Sequence, residues 1–446
     1  MSHSELLSKI KEDNVNTIIL QFSDIHGLMK GFTIPAHKVE DAIRYGVWFD
    51  GSSIEGFTRI FESDMYLKPD IATYGVVGWI EGNGGKVARM ICDVYMPDGT
   101  QFVGDPRYVL KRVVDEARKE GYVYKTGVEL EFFLFNRSNT GEIALGSAGN
   151  GYYFNADTPP LTKIKEEILK SLAGLNIEVE LSHTEVAQNQ HEIDFKYADA
   201  LITADNAMTF KFVVKSIAQM HGMHATFMPK PIFGVNGSGM HTHQSLASVK
   251  DDTNLFYDGS DSYNLSAIAK KFIAGLLKHS KEFSAVIAPT VNSYKRLTPG
   301  YEAPVYVCWA ERNRSALVRV PRTFKEKSAV ATRCELRCPD PSTNPYLAFA
   351  VMLKAGLKGI KENYQLAAPS EEDVFEYDET RLTEKQIDKL PASLSEALAH
   401  YHKSDLVKEA LGSHMFAEYY RAKYQEWNEF RMAVTDWELK KYLEVL

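Results

Sequence analysis

The feature that most constrains this chain is a short apolar strand that carries two acids. Residues 127–135 read GVELEFFLF, and their Val, Leu and Phe content predicts a buried β-strand. Because successive strand side chains point to opposite faces, Glu129 and Glu131 share one face while Val128 and Leu130 occupy the other. Two neighbouring carboxylates in an apolar setting repel each other, so they need a cation or a shared proton between them. The strand therefore predicts a metal site or a proton-sharing pair, with a solvated acidic face as the alternative.

Length and composition set the broad class. The chain has 446 residues, more than one apolar core usually serves, so we expect two domains. No run approaches the roughly 18 apolar residues of a membrane span. The start lacks an apolar signal segment, and the four cysteines lack metal-type spacing, so we expect reduced thiols in a cytoplasmic protein. The formal net charge of −8 argues against nucleic-acid binding and fits small anionic substrates held by local arginines.

The domain boundary is signalled by turns and a helix start. Three strand-like segments, residues 17–22, 76–80 and 87–92, are separated by glycine-rich turns, and we expect a small β-rich domain over residues 14–104. Asp105 fits a helix N-cap and Pro106 the first helical position. A larger domain, residues 105–446, is predicted to begin there.

Two further segments of the larger domain carry acids and imidazoles. A polar turn joins two extended pieces over residues 184–195, which brings Glu185 and Glu192 within reach of each other. Strand alternation then places His241 and His243, with Ser245, on one face after a glycine-rich segment. Glycines lack side chains, so backbone amides there can approach a ligand closely.

A last strand-like segment alternates charged and apolar residues. Arg333, Glu335 and Arg337 share one face, with Cys334 and Leu336 on the other. The candidate inward-facing acids thus number five, namely Glu129, Glu131, Glu185, Glu192 and Glu335, with His241 beside them. Oxygen ligands suit Mg²⁺ or Mn²⁺, and two such ions are needed to neutralise five acids. Nearby arginines then imply an anionic ligand between metals and guanidiniums, which points to phosphoryl transfer.

Several longer motifs match a known family. They are residues 49–53 (FDGSS), the glycine-rich segment 230–245, residues 292–296 (NSYKR), 299–304 (PGYEAP), 312–315 (RNRS) and 335–337 (ELR). In this order and over residues 21–349, the sequence resembles glutamine synthetase of the class I prokaryotic type. The resemblance implies an α+β fold, with an N-terminal β-grasp domain followed by a larger α/β catalytic domain that has an antiparallel sheet and flanking helices.

The resemblance also implies ligand sets. One divalent ion would be held by Glu131, Glu185 and Glu192, and the other by Glu129, His241 and Glu335. Glutamate would be bound by Asn236, Gly237, Arg296, Glu302, Arg314 and Arg337. ATP would be bound by Glu180, Tyr197, His243, Ser245, Arg314, Arg319 and Arg333. Asp50, Glu302 and Arg314 would be catalytic, with Arg314 near the transferred phosphate.

The implied reaction joins ammonia to L-glutamate at the expense of ATP, through a γ-glutamyl phosphate. Ammonium has no free lone pair, so a carboxylate must accept its proton, and the resemblance gives this role to Asp50. Glu302 lies on a Pro-Gly loop suited to closing over the intermediate and excluding water. The family assembles as a dodecamer of two hexameric rings, in which Asp50 would serve the adjacent subunit. Nitrogen-regulatory proteins are a further class of partner that the resemblance allows.

The resemblance also bears on how the protein is regulated. Thr380 stands where the adenylylated members have a tyrosine, and Tyr377 is off register, so the resemblance favours the non-adenylylated subtype. Arg59 resembles the arginine of that subtype through which glutamine inhibits, with an exposed loop arginine as the alternative interpretation. The alternative functions are a related glutamate–amine ligase, a catalytically inactive regulatory homologue and a guanidino-kinase-like phosphotransferase.

Overall fold

The chain forms two β-sheets, each with its own cluster of buried apolar side chains. The computed structural model describes residues 1–56, 64–82, 84–138, 140–145 and 159–446. Within these ranges, six strands form a small N-terminal sheet and eleven form a larger sheet. A β-rich N-terminal unit and a larger mixed unit agree with the predicted α+β class.

The N-terminal unit contains two helices and six strands among the described residues. They are α1 (His3–Glu12), β1 (Val15–Ser23), β2 (Met29–Pro35), α2 (Val39–Tyr45), β3 (Val47–Asp50), β4 (Asp64–Pro69), β5 (Gly75–Gly82) and β6 (Gly85–Tyr95). The sheet order is β2-β1-β6-β4-β3, with β5 also paired to β6. Strands β1 and β6 run parallel, and the other pairs are antiparallel. The three strand-like segments predicted here correspond to β1, β5 and β6, and β3 forms one edge.

The larger unit begins at the predicted helix. Asp105 accepts a hydrogen bond from the backbone of Arg107, and Pro106 opens the helix. The helices are α3 (Pro106–Lys119), α4 (Pro159–Gly174), α5 (Ala200–Met220), α6 (Ala267–Ile287), α7 (Ser293–Arg296), α8 (Ser328–Ala331), α9 (Pro345–Lys361), α10 (Glu379–Glu384), α11 (Leu394–His402), α12 (Asp405–Leu411), α13 (Ser413–Met432) and α14 (Asp436–Tyr442). In the described ranges, no helix combines the length and apolar character needed to cross a membrane.

The larger sheet is organised around its longest strand. Its strands are β7 (Tyr122–Arg137), β8 (Ile143–Ala144), β9 (Val179–Thr184), β10 (Gln190–Phe195), β11 (Ala198–Asp199), β12 (Met223–Thr226), β13 (Met240–Ser248), β14 (Tyr306–Ala310), β15 (Ala316–Arg319), β16 (Cys334–Leu336) and β17 (Asp388–Lys389). The order is β17-β14-β15-β16-β13-β7-β10-β9, and β8, β11 and β12 also pair with β7. All pairs are antiparallel except β14 with β15.

The apolar face of β7 fixes the direction of its acids. Val128, Leu130, Phe132 and Leu134 are buried in the core that the helices cover, so the predicted alternation is confirmed. The intervening Glu129 and Glu131 must then point to the other face of the sheet. The four cysteines are free and buried, and Cys334 packs behind the face of β16 that carries Glu335.

A buried arginine joins the two units. Arg107, in the first turn of α3, makes a bidentate ion pair with Asp205 of α5. Its Nε donates to Oδ1 at 3.0 Å and its Nη2 donates to Oδ2 at 2.9 Å. It also donates to Asp93 of β6 at 2.6 Å and to Asp70, just after β4, at 2.7 Å. Tyr346 of α9 donates to Asp205 at 2.7 Å. One guanidinium therefore bridges the small sheet and the helical layer of the larger unit.

We expect Arg107→Met to destabilise the folded chain strongly. It would leave three carboxylates without their shared cation in a buried setting, which costs about 3 to 5 kcal/mol. Denaturant unfolding followed by far-UV circular dichroism measures the change. Arg118→Met, which removes a half-exposed contact to Asp199 at 3.1 Å, is the matched control and should cost less than about 1 kcal/mol. Equal, small effects of both substitutions would show that the junction carries little stability.

Candidate active site

The polar face of β7 lies between two strands that also carry polar side chains. In the register with β10, Glu131 is opposite Glu192 and Glu129 is opposite Asp194. On the other side, β13 places His241 opposite Glu129. Directly opposed side chains in an antiparallel pair lie about 5 Å apart. Four carboxylates and an imidazole therefore meet on one face of the sheet.

One close group contains Glu129, His241 and Glu335. Their ligand-type atoms all lie within 4.8 Å of one another, and His241 Nδ1 is 2.9 Å from Glu129 Oε2. Glu335 reaches the group from β16, which pairs with β13, and it is fully buried. His243 Nε2 contacts the other Glu129 oxygen at 2.7 Å. Glu129, His241 and Glu335 are the residues predicted to hold one divalent ion.

A second close group contains His183, Glu185 and Glu192. Their ligand-type atoms also lie within 4.8 Å of one another, and His183 Nε2 is 3.2 Å from Glu192 Oε1. The hairpin of β9 and β10 brings them together, as predicted for the two acids. The composition differs from the predicted trio, because His183 takes the place of Glu131.

Glu131 instead has its own hydrogen-bond partners. Its Oε2 accepts from Gln190 Nε2 at 2.7 Å and from the backbone amide of Gly239 at 3.0 Å. It still lies across the strand pair from Glu192. The carboxylate is therefore next to the second group and held in place by an amide side chain and a glycine.

The pKa values of the acids in the site are shifted in different directions by burial and by the charges around them. Burial, and then the charges of Glu185 and Glu192, raise the pKa of Glu131 well above its ordinary value. Burial and neighbouring carboxylates raise the pKa of Glu192 to about 10 and that of Asp194 to about 7. These acids cannot all ionise without added positive charge.

Glu129 and Glu335 behave oppositely. Burial opposes the ionisation of Glu129, but hydrogen bonds from His241 and His243 outweigh it and hold the pKa well below its usual range. Burial likewise opposes the ionisation of Glu335, but Arg337 is the main charge that lowers its pKa. The histidine and arginine sides of the site thus stabilise anions, whereas near β10 burial and like charges outweigh the support from His183 and Arg296.

The acids line a cavity of about 310 Å³. All six residues predicted to bind glutamate also line it. The full lining comprises Glu129, Glu131, Leu181, His183, Glu185, Gln190, Glu192, Asp194, Asn236, Gly237, His241, Arg296, Tyr301, Glu302, Ala303, Arg314, Arg319 and Arg337. Carboxylates, arginines and the loop with Glu302 therefore line the same cavity.

The arginines of this cavity are anchored in different ways. Arg337 Nη1 donates to Glu335 Oε1 at 2.5 Å, and Arg319 Nη1 donates to Glu335 Oε2 at 2.9 Å. Arg296 is buried, and its terminal nitrogens donate to the backbone carbonyls of Arg337, Cys338 and Pro339. Glu335 therefore orients two guanidiniums toward the cavity.

A second cavity, of about 340 Å³, adjoins the first. Five of the seven residues predicted to bind ATP line it, namely Glu180, Tyr197, His243, Ser245 and Arg333, whereas Arg314 and Arg319 line the first cavity. Glu129 and Asp194 line both cavities. Arg333 Nε lies 3.1 Å from His243 Nδ1. A ligand that extends from one cavity to the other would pass Glu129.

A glycine keeps the second cavity open. Gly127 lies opposite His243 across β7 and β13, and a Cβ there would be 3.1 Å from the Cβ of Tyr197. Lys125, two residues earlier on the same face, also lines the cavity. Lys125, Gly127 and Glu129 thus share one face of β7, and all three line this cavity.

Two sequence candidates do not join this group. Asp50 ends β3, where it caps a short turn by accepting a hydrogen bond from Ser52 at 2.9 Å, and it does not line either cavity. Arg59 lies outside the described residues.

The sequence reasoning missed two residues of the site. Asp194 alternates with Glu192 in the same way as Glu131 with Glu129, so the same argument would have found it. His183 precedes Glu185 by two positions on an extended segment, which was a second available signal.

Comparisons with known proteins agree with the geometry. The family model described as glutamine synthetase, catalytic domain, matches residues 103–442, and the glutamine synthetase β-grasp domain matches residues 14–97. A glutamine synthetase of Methanosarcina mazei is 50% identical over 99% of this chain and 98% of its own length. One of Clostridium saccharobutylicum is 50% identical over 98% of each chain.

A solved structure extends the comparison to the fold. A GmaS/ADP complex is 30% identical, with a TM-score of 0.88, and the match covers 98% of this chain and 99% of that chain. The family assignment rests on the acids that converge on β7, on the two adjoining cavities and on the full-length similarity. The chain belongs to the glutamine synthetase family and is a glutamate–ammonia ligase.

Proposed function

We propose that each of the two carboxylate–histidine groups holds one divalent cation, Mg²⁺ or Mn²⁺, during ATP-dependent glutamine synthesis. The observation that carries this proposal is the convergence of two sets of donor atoms, each within 4.8 Å, on one acidic cavity. Carboxylate oxygens and imidazole nitrogens suit both ions. Glu129, His241 and Glu335 would hold one ion.

The second ion would be held by Glu185 and Glu192, with His183 or Glu131 as the further ligand. The raised pKa values of Glu131 and Glu192 support the presence of a cation here, since added positive charge relieves the repulsion that raises them. When bound, the ions would neutralise phosphate and carboxylate oxygens.

Glutamate and ATP would occupy the two cavities. The first cavity contains Arg296, Arg337 and the backbone of Gly237, which suit the carboxylates of an amino acid. The second contains Tyr197, Ser245 and Arg333, and the similar fold of the GmaS/ADP complex supports nucleotide binding there. The shared wall at Glu129 would then be where the phosphate chain meets glutamate.

The chemistry that this arrangement supports is in-line phosphoryl transfer followed by amide formation. The γ-carboxylate of glutamate attacks the terminal phosphorus of ATP, and ADP leaves. Arg314 and Arg319 face the first cavity and would stabilise the charge on the transferred phosphoryl group. Ammonia then attacks the γ-carbonyl carbon, and the bond from that carbon to the bridging oxygen breaks. Phosphate leaves with the bridging oxygen, and the nitrogen releases a proton to give the neutral amide. Glu302 would cover the intermediate.

Asp50 would act from a neighbouring subunit. It ends β3, the edge strand of the small sheet. Trp48 of this strand is 57% exposed, and Tyr45, at the end of α2 just before it, is 62% exposed. Exposed aromatic side chains next to an unpaired strand edge are typical of an interface. We therefore propose an assembly, expected to be the dodecamer of two hexameric rings, in which Asp50 accepts the proton of ammonium.

Regulation remains a prediction built on two positions. Tyr377 is only 8% exposed and its hydroxyl donates to Glu372, which supports the absence of adenylylation. Control by glutamine through Arg59, interaction with nitrogen-regulatory proteins and a cytoplasmic location stay predictions of the sequence. The glutamate–amine ligase and the inactive homologue are not favoured, because the curated relatives that match along the whole chain are glutamine synthetases.

We expect Glu335→Gln and Glu185→Gln each to weaken one divalent-ion site. Replacing a charged ligand by an amide should lower Mn²⁺ affinity at that site by at least about 10-fold, while the other site stays titratable. Isothermal titration with Mn²⁺ counts the sites and gives their affinities. Glu178→Gln, which alters an exposed pair with Lys196, is the control. An unchanged titration for either site variant would remove that residue from the ligand set.

We expect Asp50→Ala to impair the use of ammonia selectively. Loss of the proton acceptor should slow glutamine formation by about 10²- to 10⁴-fold at limiting ammonium, while ADP and Mn²⁺ still bind. Asp64→Ala is the matched control, because Asp64 is the exposed cross-strand neighbour of Asp50. Initial rates against ammonium concentration provide the measurement. Equal rates for Asp50→Ala and the wild type would contradict the assigned role.

A further inference from the structure

One loop beside the acidic cavity is unusually well fixed. Residues 229–238 form a closed loop, because the amide of Ser238 donates to the carbonyl of Pro229 at 2.8 Å. The Lys230 amide donates to Asn292 Oδ1 at 2.7 Å, and Asn292 Nδ2 returns a bond to the Lys230 carbonyl at 3.1 Å. The Lys230 ammonium donates to the carbonyl of Val235 inside the loop. The loop that carries Asn236 and Gly237 is therefore held at its base and across its middle.

The segment facing this loop is held far less tightly. Residues 299–304, here called the flap, place Tyr301, Glu302 and Ala303 in the cavity wall. Within the described part of the chain, no hydrogen bond or ion pair joins the flap to another residue. Gly300 has φ +90°, and a Cβ there would meet nothing within 4 Å. The flap thus has a glycine suited to act as a hinge and free space around it.

One electrostatic contact joins the flap to the fixed loop. The ammonium nitrogen of Lys230 lies 3.6 Å from the centroid of the Tyr301 ring. Lys230 is only 8% exposed, and a cation–π contact gains strength when the cation is shielded from water. Burial, and then the charge of Arg296, lower the Lys230 pKa to about 8, so the side chain is still mainly a cation at neutral pH.

We propose that Lys230 is a positioning residue, which holds the flap over the acidic cavity through the ring of Tyr301. The contact keeps the adjacent Glu302 over the site and limits the entry of water. This inference rests on the proposed function, because water exclusion matters only if the cavity holds a reactive acyl phosphate. Glutamate binding through Asn236 and Gly237 is a separate task of the same loop.

Opening of the flap would allow a defined side reaction. The oxygen of a water molecule attacks the γ-carbonyl carbon of γ-glutamyl phosphate, and the bond from that carbon to the bridging oxygen breaks. Phosphate leaves with the bridging oxygen, a proton from water is released, and glutamate is regenerated. The net result is hydrolysis of ATP to ADP and phosphate without formation of glutamine, which makes the side reaction measurable.

The test compares phosphate release with glutamine formation in the same reaction. Lys230→Met keeps the aliphatic stem but removes the charge, and Lys230→Arg keeps a cation over the ring. Tyr301→Leu removes the ring, and Tyr301→Phe retains it. We expect the ratio of phosphate to glutamine to stay near one in the wild type, Lys230→Arg and Tyr301→Phe. It should rise at least about threefold in Lys230→Met and Tyr301→Leu, which is the effect of losing even a weak cation–π contact.

A second measurement omits ammonium. With glutamate and ATP alone, Lys230→Met and Tyr301→Leu should release phosphate continuously at least about threefold faster than the wild type. If both variants turn over more slowly but keep a ratio of one, or only raise the KM for glutamate, the positioning role is overturned. If Lys230→Met does not fold, the Tyr301→Leu and Tyr301→Phe pair decides the question alone. Absence of glutamine formation in the wild type would instead overturn the proposed function itself.

Discussion

The site depends on electrostatic repulsion that the sheet enforces. Glu129 and Glu131 cannot turn away from their acidic neighbours, because Val128 and Leu130 bury the opposite face of β7. The register with β10 then sets Glu192 and Asp194 directly across the strand pair. The free energy of apolar burial therefore holds carboxylates together that would otherwise separate. A divalent cation is the natural partner of such an arrangement, and its binding energy is larger because the protein already provides the ligands in place.

The arginines of the site are also held in place by an acid. Arg319 and Arg337 both donate to the fully buried Glu335, so one acid orients two guanidiniums beside the anionic cluster. Arginines pointing into a cavity that also binds divalent ions repel those ions unless an anion lies between them. A phosphoryl group in transfer is such an anion. In the proposed arrangement, the shared wall of the two cavities at Glu129 would suit a ligand whose phosphates reach from the nucleotide side toward glutamate.

Strand alternation let the sequence predict which acids face inward, and motif resemblance supplied the family. What could not be read from the sequence is the register between distant strands. The capture of Glu131 by Gln190 and by the backbone amide of Gly239 depends on how the β9–β10 hairpin is seated against β7. Local spacing does not encode that seating, because it results from burial of Ile193 and Phe195 in the core. The position of Arg319 at Glu335 rather than in the second cavity has the same origin, in the pairing of β15 with β16.

A continuous set of contacts connects the larger unit, through the small sheet, to Asp50. The Arg107 guanidinium donates hydrogen bonds to Asp93 of β6 and to Asp70 just after β4. It also donates to Asp205 of α5, in the helical layer of the larger unit. From β6, pairing runs through β4 to β3 and thus to Asp50. In the role proposed for it, Asp50 would need a fixed orientation relative to its own large domain, since errors of about 1 Å can cost 10²-fold in rate. The buried ionic junction would supply that orientation, so the stability of the domain interface and the geometry of the proposed assembled site would depend on the same guanidinium.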